Sequence, residues 1–274
     1  MGLRFRVLGS GSSGNATLVE ADGTRILIDA GLGPRELTER LQSAGVDPAS
    51  VEAVLLSHEH ADHARGASSF SRRWGVRLRG TRGTYAAAGL GAADIAGYDA
   101  FVAGTRIRVG ALTILPVRVP HDAAEPVAFV VSSGDACLGH ATDLGHVSRA
   151  LVEAFRGCTA ILVESNYDPG LLRDGPYPWS LKERILGRVG HLSNGDVARY
   201  LADGLPGSCG TLVLAHLSLT NNHPEVARMV SEAALRGSGR ADVRLELSGP
   251  DGTEWIEAGG ADAGAKPLGQ MRLW

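Results

Sequence analysis

The apolar run VEAVLLS, residues 51–57, empties directly into HEHADH, residues 58–63. Where a strand gives way to a helix, successive side chains fan around a point, so His58, His60 and His63 cannot all face a core. Three histidines and an aspartate in six residues are also too dense for a merely solvated loop. Imidazole nitrogens and carboxylate oxygens that converge in this way suit Zn²⁺, Mn²⁺ or Fe²⁺. The residue four past His58 is Asp62, so H-E-x-x-H is not matched and a zincin helix is excluded.

A second motif competes with that reading. Gly9, Gly11 and Gly14 in LGSGSSGN spell G-x-G-x-x-G behind an apolar run. A dinucleotide site needs those glycines to open a helix whose N-terminus takes the pyrophosphate. The glycines instead open onto NATLVEADGTRILIDAG, two β-rich runs around Asp22-Gly23, a pattern that predicts a hairpin. The nucleotide-cofactor reading therefore falls.

Further along, the pattern predicts helices over 34–44 and 64–74, strands over 51–56 and 76–79, and almost pure β structure over 101–141. Helices over 147–155, 179–188 and 194–202 then alternate with apolar strands over 159–163 and 211–215, before a last helix over 224–235. Strand runs bracketed by helices point to an α/β fold of two sheets with helices outside. The 274 residues, 44% hydrophobic, are enough for one large domain. We read residues 1–258 as that domain and 259–274, rich in Gly, Ala and Asp, as a loosely ordered C-terminal tail.

Cys137, Cys158 and Cys209 lie far apart without a C-x-x-C pair, which fits neither a disulfide framework nor a cysteine metal knot and suits a reducing cytoplasm. No signal peptide or membrane span is expected. A net charge of −3 argues against a generally basic nucleic-acid coat, but not against local patches. Arg65, Arg72, Arg73, Arg77, Arg79 and Arg82 form either a phosphate-tracking ridge or a solvated face in an arginine-biased chain, and Trp74 and Tyr85 either stack bases or anchor packing.

The H58-x-H60-x-D62-H63 string after an apolar strand, with His121 in VPHDAAEP, Asp143 in ATDLG and His216 in LAHLS, resembles the signature of the metallo-β-lactamase superfamily. GSGSSGN, HDAAEP, ESNYD, YPWSLKERIL, GHLSN and LAHLSLTNN narrow the resemblance to the YycJ/WalJ group of phosphodiesterase-like or nuclease-like members. It implies a four-layer αββα sandwich and two divalent metal ions, Zn or Mn with Fe also chemically possible. Carried across, His58, His60 and His121 hold one ion, Asp62, His63 and His216 the other, and Asp143 bridges. In the resemblance the glycine stretch is a tight loop beside the site, serving either as a structural turn or as a phosphate-binding nest.

Paired divalent ions make hydroxide available at neutral pH and clamp both oxygens of an in-line displacement, so the resemblance implies a metal-bridging hydroxide as nucleophile. VESN at 163–166 and GHLSN at 190–194 resemble elements of ribonuclease Z-like phosphodiesterases. His191 would then protonate the leaving alkoxide while Glu164 keeps it charged, although His191 also merely precedes a Ser193 N-cap. Asp62, His191 and Glu164 are thus the candidate catalytic residues, and Ser12, Asn15, Ser193, Asn221 and Asn222 the candidate substrate contacts, with Asn221 and Asn222 equally suited to closing a turn. The expected activity is phosphodiester hydrolysis, as an exonuclease on DNA or RNA, with nucleic acid as the partner, no membrane partner, and a homodimer as the candidate assembly. The rival enzyme is a small-molecule hydrolase, a cyclic phosphodiesterase or thioesterase; a non-catalytic binding module ranks last because the ligand set is complete.

Overall fold

The computed structural model describes residues 2–259, so the tail expected over 259–274 lies, apart from Gly259, outside the described residues. Strands β1 (Arg4–Gly9), β2 (Ala16–Ala21), β3 (Thr24–Ile28), β4 (Ala53–Leu55), β5 (Arg77–Gly80) and β6 (Tyr98–Ala100) form one sheet with β14 (Ile256–Glu257) on its edge, in the order β14-β1-β2-β3-β4-β5-β6. The second sheet runs β13-β12-β11-β10-β9-β8-β7, built from β7 (Ile107–Val109), β8 (Leu112–Arg118), β9 (Val127–Ser133), β10 (Ala136–Ala141), β11 (Ala160–Glu164), β12 (Thr211–Ala215) and β13 (Arg244–Leu247). Pairing is parallel from β3 to β6 and from β10 to β13, and antiparallel elsewhere.

Period-two alternation explains the layering. Ile26 and Ile28 of β3 point inward with Leu162, Val213 and Phe129 of the other sheet, forming the interlayer core. Leu27 faces outward onto Leu37 and Leu41 of α1 (Pro34–Ser43) and Phe70 of α3 (Ala67–Trp74). Ile161 and Val163 of β11 face Leu151 and Phe155 of α5 (Arg149–Phe155), Val197 and Leu201 of α8 (Asn194–Asp203) and Leu235 of α9 (Pro224–Gly237). Strands buried on both faces must be apolar throughout, as the uninterrupted ILI and AILV runs are. The result is the expected four-layer αββα sandwich.

Two local features position the site. Asp22 at φ 47° and Gly23 at φ 83° close the expected hairpin between β2 and β3. The helix expected over 64–74 begins earlier and is broken, with one turn, α2 (Ala61–Ala64), before α3. Here the chain is pressed against the backbone of residues 30–32: a Cβ on Gly66 would come within 2.3 Å of the Leu32 carbonyl oxygen, and one on Gly31 within 1.6 Å of that of Asp62. Glycine is required at this crossing by close backbone approach. Short helices α4 (Arg82–Ala87), α6 (Pro169–Asp174) and α7 (Trp179–Leu186) complete the outer shell; α4 and α6 carry no clear periodic signal at six residues each.

Candidate metal centre

The carboxyl ends of the parallel strands all open on one edge of the sandwich, the position where open α/β sheets gather ligands. From the first sheet, β3 delivers Asp29, and β4 delivers Ser57 and His58 into the loop that carries His60, Asp62 and His63. From the second, β10 leads to Asp143, β11 ends on Glu164, and β12 leads to His216. His121 comes from the β8–β9 connection and His191 from the loop before α8. Asp29, Asp143 and His216 adopt φ of 62°, 58° and 52°, left-handed conformations that cost on the order of 1 kcal/mol or more each in residues bearing a Cβ. That strain sits at the point where the chain must turn a side chain inward.

All seven expected ligands converge. Donor atoms of His58, His60 and His121 lie within 4.8 Å of one another, as do those of Asp62, His63 and His216. Asp143 falls between: its Oδ2 is 2.9 Å from His63 Nε2, and its Oδ1 is 3.2 Å from His216 Nδ1 and 4.0 Å from His121 Nε2. Asp62 Oδ2 stands 3.4 Å from both His63 Nε2 and His216 Nε2. Among the described residues, the buried His58 Nε2 has no hydrogen-bond partner, and Asp143 Oδ2 and His216 Nε2 meet only other members of the cluster, His63 and Asp62. Buried polar atoms are normally satisfied, so nitrogen and oxygen donors left open toward a shared centre fit divalent cations.

The opposite ring nitrogens are tied to protein. His58 Nδ1 lies 3.0 Å from Ser57 Oγ, His63 Nδ1 2.8 Å from Asp29 Oδ2, His121 Nδ1 3.1 Å from the Gly190 carbonyl and His216 Nδ1 3.4 Å from Glu164 Oε2. Such partners fix ring orientation and leave Nε2 for a metal. Asp29 also accepts from the Ser57 amide and hydroxyl at 2.8 Å each, which locks the loop entrance. Asn15 reaches across from the glycine loop: its Nδ2 is 3.3 Å from Asp62 Oδ2 and 3.0 Å from His63 Nε2, and its amide donates to the Asp62 carbonyl at 2.7 Å. The glycine loop is therefore a brace for the HEHADH turn. A Cβ on Gly14, at φ 152°, would stand 2.8 Å from the Gly31 carbonyl group.

The electrostatics divide the cluster. Burial drives His58 well below the ordinary imidazole value and lowers His121, so both favour the neutral form. Burial opposes charge on His63 and His216 as well, but Asp143 and Asp29 raise the first well above its ordinary value, and Asp143 with Asp62 and Glu164 raises the second to about 10. Asp143 and Asp62 stay ionised despite burial because His216 and His63 face them.

His191 stands beside the cluster with Nδ1 3.0 Å from Glu164 Oε2 and 3.5 Å from Asp143 Oδ1. Burial disfavours its cation, yet the Glu164 carboxylate raises its pKa overall. The other oxygen of Glu164 accepts from the amides of Leu144 at 2.8 Å and Leu192 at 3.0 Å, which fixes the carboxylate.

A cleft of about 220 Å³ opens over these groups, its walls including Ser12, His60, Asp62, Asp143, His191 and His216. Of the five candidate substrate contacts, Ser12 alone lines it. Asn15 braces the metal loop. Ser193 caps α8 in a reciprocal pair with Asp196. Asn221 and Asn222 are buried; Asn222 donates to the Ser165 carbonyl and to Asn194 Oδ1, and accepts from the His223 amide. Ser193, Asn221 and Asn222 stand next to helix starts, where short polar side chains are consumed by caps and turns. Three of the six arginines considered as a ridge are engaged within the protein, while Arg72, Arg73 and Arg82 are exposed. Arg65 donates to the Ser13 and Gly31 carbonyls, and Arg77 and Arg79 both pair with Asp99. Tyr85 packs on Tyr98 with ring centroids 4.4 Å apart.

Sequence reasoning passed over Asp29, Ser57, Asp122 and Arg184. For Asp29 a signal existed: ILIDAG, like VLLSH, is an apolar strand that ends in a polar side chain. Asp122 and Arg184 meet only through the tertiary fold.

A family model described as the beta-lactamase superfamily domain matches residues 24–216. The chain is 36% identical to exodeoxyribonuclease YycJ of Bacillus anthracis over 241 residues, which covers 87% of this chain and 91% of that one. It is 34% identical to exodeoxyribonuclease WalJ of Streptococcus pneumoniae, with 84% and 87% covered. Among solved structures, the metallo-β-lactamase fold protein YhfI from Bacillus subtilis superposes with a TM-score of 0.73 at 15% identity, over 93% of this chain and 99% of that one.

Proposed function

The chain belongs to the beta-lactamase superfamily and, within it, to the family of the YycJ and WalJ exodeoxyribonucleases, and is a metal-dependent hydrolase of phosphodiester type; from that premise we propose that it is a dinuclear exonuclease that removes nucleotides from a DNA end. Both the exonucleolytic action and the preference for DNA rest on those relatives' names. The three cysteines are free thiols, with Cys137 and Cys158 sulfurs 3.3 Å apart and unbonded, which supports the cytoplasm as the place of action.

One ion is assigned to His58, His60 and His121, the other to Asp62, His63 and His216, with Asp143 shared. When bound, the ions acidify water and neutralise charge on the phosphoryl oxygens. Asp62, facing the cleft, accepts the proton of the attacking water, and Asn15 holds that carboxylate in place. His191 carries the observation on which the reading rests. Its Nδ1 is engaged by Glu164 at the cleft wall, so its Nε2, without a partner among the described residues, is the ring nitrogen that delivers a proton to the departing alkoxide. A thioester releases a thiolate, which departs without a proton donor, so an imidazole placed to donate favours a phosphodiester over the thioesterase alternative.

The test is metal-reconstituted protein, with Mn²⁺ and Zn²⁺ in parallel. It is assayed on end-labelled single- and double-stranded DNA and RNA and, separately, on bis-p-nitrophenyl phosphate and a thioester. Terminal release from DNA is expected. Turnover confined to the small esters would replace the nuclease with a small-molecule hydrolase.

A further inference from the structure

Among the described residues, no lysine lines the cleft and one arginine does: Arg184, on α7. Its side chain is 56% exposed, and its Nε donates to Asp122 Oδ2 at 2.5 Å. The two Nη groups have no partner among the described residues. Asp122 is the link to the metal centre, for its other oxygen lies 3.3 Å from His121 Nε2. One carboxylate thus separates the guanidinium from a proposed metal ligand. The fork lies in the same cleft as the metal ligands. Tyr177 and Leu181 lie beside it and offer an aromatic face and an apolar edge. A polyanion laid across the metal centre would meet the carboxylates of Asp62, Asp122 and Asp143, and Arg184 is the permanently charged side chain at that wall to offset them.

We propose that Arg184, held by Asp122, binds the phosphate that flanks the scissile one, and so selects substrates with two consecutive phosphates over simple phosphodiesters. This rests on the nuclease reading and deepens it. A guanidinium fork suits a phosphate's oxygens because it presents parallel N–H donors at fixed spacing, and tethering through Nε keeps the Nη edge ordered before substrate arrives. Lysine would supply charge without that geometry.

Direct binding separates the inference from the activity. Calorimetry on metal-reconstituted protein, with thymidine 3′,5′-bisphosphate and thymidine 5′-monophosphate as probes, should give a preference for the bisphosphate of about tenfold or more, the worth of a charge-assisted pair. Arg184→Gln should erase the preference and Arg184→Lys should keep part of it, with metal content as the check on folding. On an oligonucleotide, Arg184→Gln should raise KM more than it lowers kcat and reduce the salt slope of binding by about one. Equal binding of the two probes by wild-type protein, or a preference that survives Arg184→Gln, overturns the assignment. If wild-type protein cleaves a thioester and no phosphodiester, the nuclease reading fails instead, and the calorimetry still decides whether Arg184 is a phosphate site.

Discussion

The two sheets contribute to the centre in opposite ways. The first supplies His58, His60, Asp62 and His63 from a single six-residue stretch, clamped from behind by Asp29, Ser57 and Asn15. The second supplies one residue per connection: His121, Asp143, Glu164, His191 and His216, each from a different strand end or loop. A contiguous loop can be held by local backbone contacts such as the Gly31–Asp62 crossing. Dispersed residues are held only if the whole sheet keeps its register. The first half should thus tolerate damage far from the site, and the second should not.

Asp143 joins the halves, so its loss has the largest effect. Asp143→Ala is expected to lower metal content at both positions and phosphodiester hydrolysis on the order of a thousandfold or more. Metal analysis beside a bis-p-nitrophenyl phosphate assay checks this; full activity with two ions bound would end the shared-ligand assignment.

His191 belongs to the second half but to no proposed ligand set. His191→Ala should slow cleavage by about a hundredfold or more with metal content unchanged. Because Glu164 raises the His191 pKa, the acid form persists upward in pH, and the rate should fall as pH rises through that raised value. The variant's pH–rate profile should lack that alkaline limb. If the limb stays, another group is the proton donor.

Within the first half, Asp29→Asn leaves every proposed ligand in place and removes the charge behind His63. A tenfold to hundredfold loss of metal affinity is expected, the usual range for such orienting partners. It should fall on one ion of two, so that a titration of the variant shows one weak and one near-native step. Two equally weakened steps would mean that Asp29 supports the loop as a whole.

The smallest effect concerns His140, buried between the sheets with Nε2 3.1 Å from Thr17 Oγ1. Burial lowers its pKa to about 4. A depressed folded value means that the unfolded chain takes up the proton first. This contribution to stability is therefore complete above about pH 6.5 and declines as the pH falls toward 4. Unfolding midpoints measured by chemical denaturation across that window should drop for wild-type protein and drop less for His140→Gln.

The same contrast between halves governs what could be read in advance. HEHADH was legible because metal donors crowd one turn, and His121, Asp143 and His216 because each ends an apolar run in a resemblance that spans most of the chain. Asp122 and Arg184, 62 residues apart in sequence, lie within the HDAAEP and YPWSLKERIL strings, but nothing in either string says that the two meet across the cleft. Ser193, Asn221 and Asn222 show the converse. Their neighbourhood in sequence pointed to the site, while the Ser193 side chain caps α8, Asn222 pairs with the Asn194 amide and Asn221 donates to Ser218 Oγ.

By itself, the sequence determined the alternation that makes two doubly buried sheets, the turn between β2 and β3, and the donor chemistry of the centre, because periodicity, turn residues and ligand type are local properties of a chain. The tertiary structure decided which polar residues face the cleft, which imidazoles favour the charged form and which arginine lines the cleft. Those depend on burial and on partners brought together across two sheets, and neither distance nor solvent exclusion is written in a residue's neighbours along the chain.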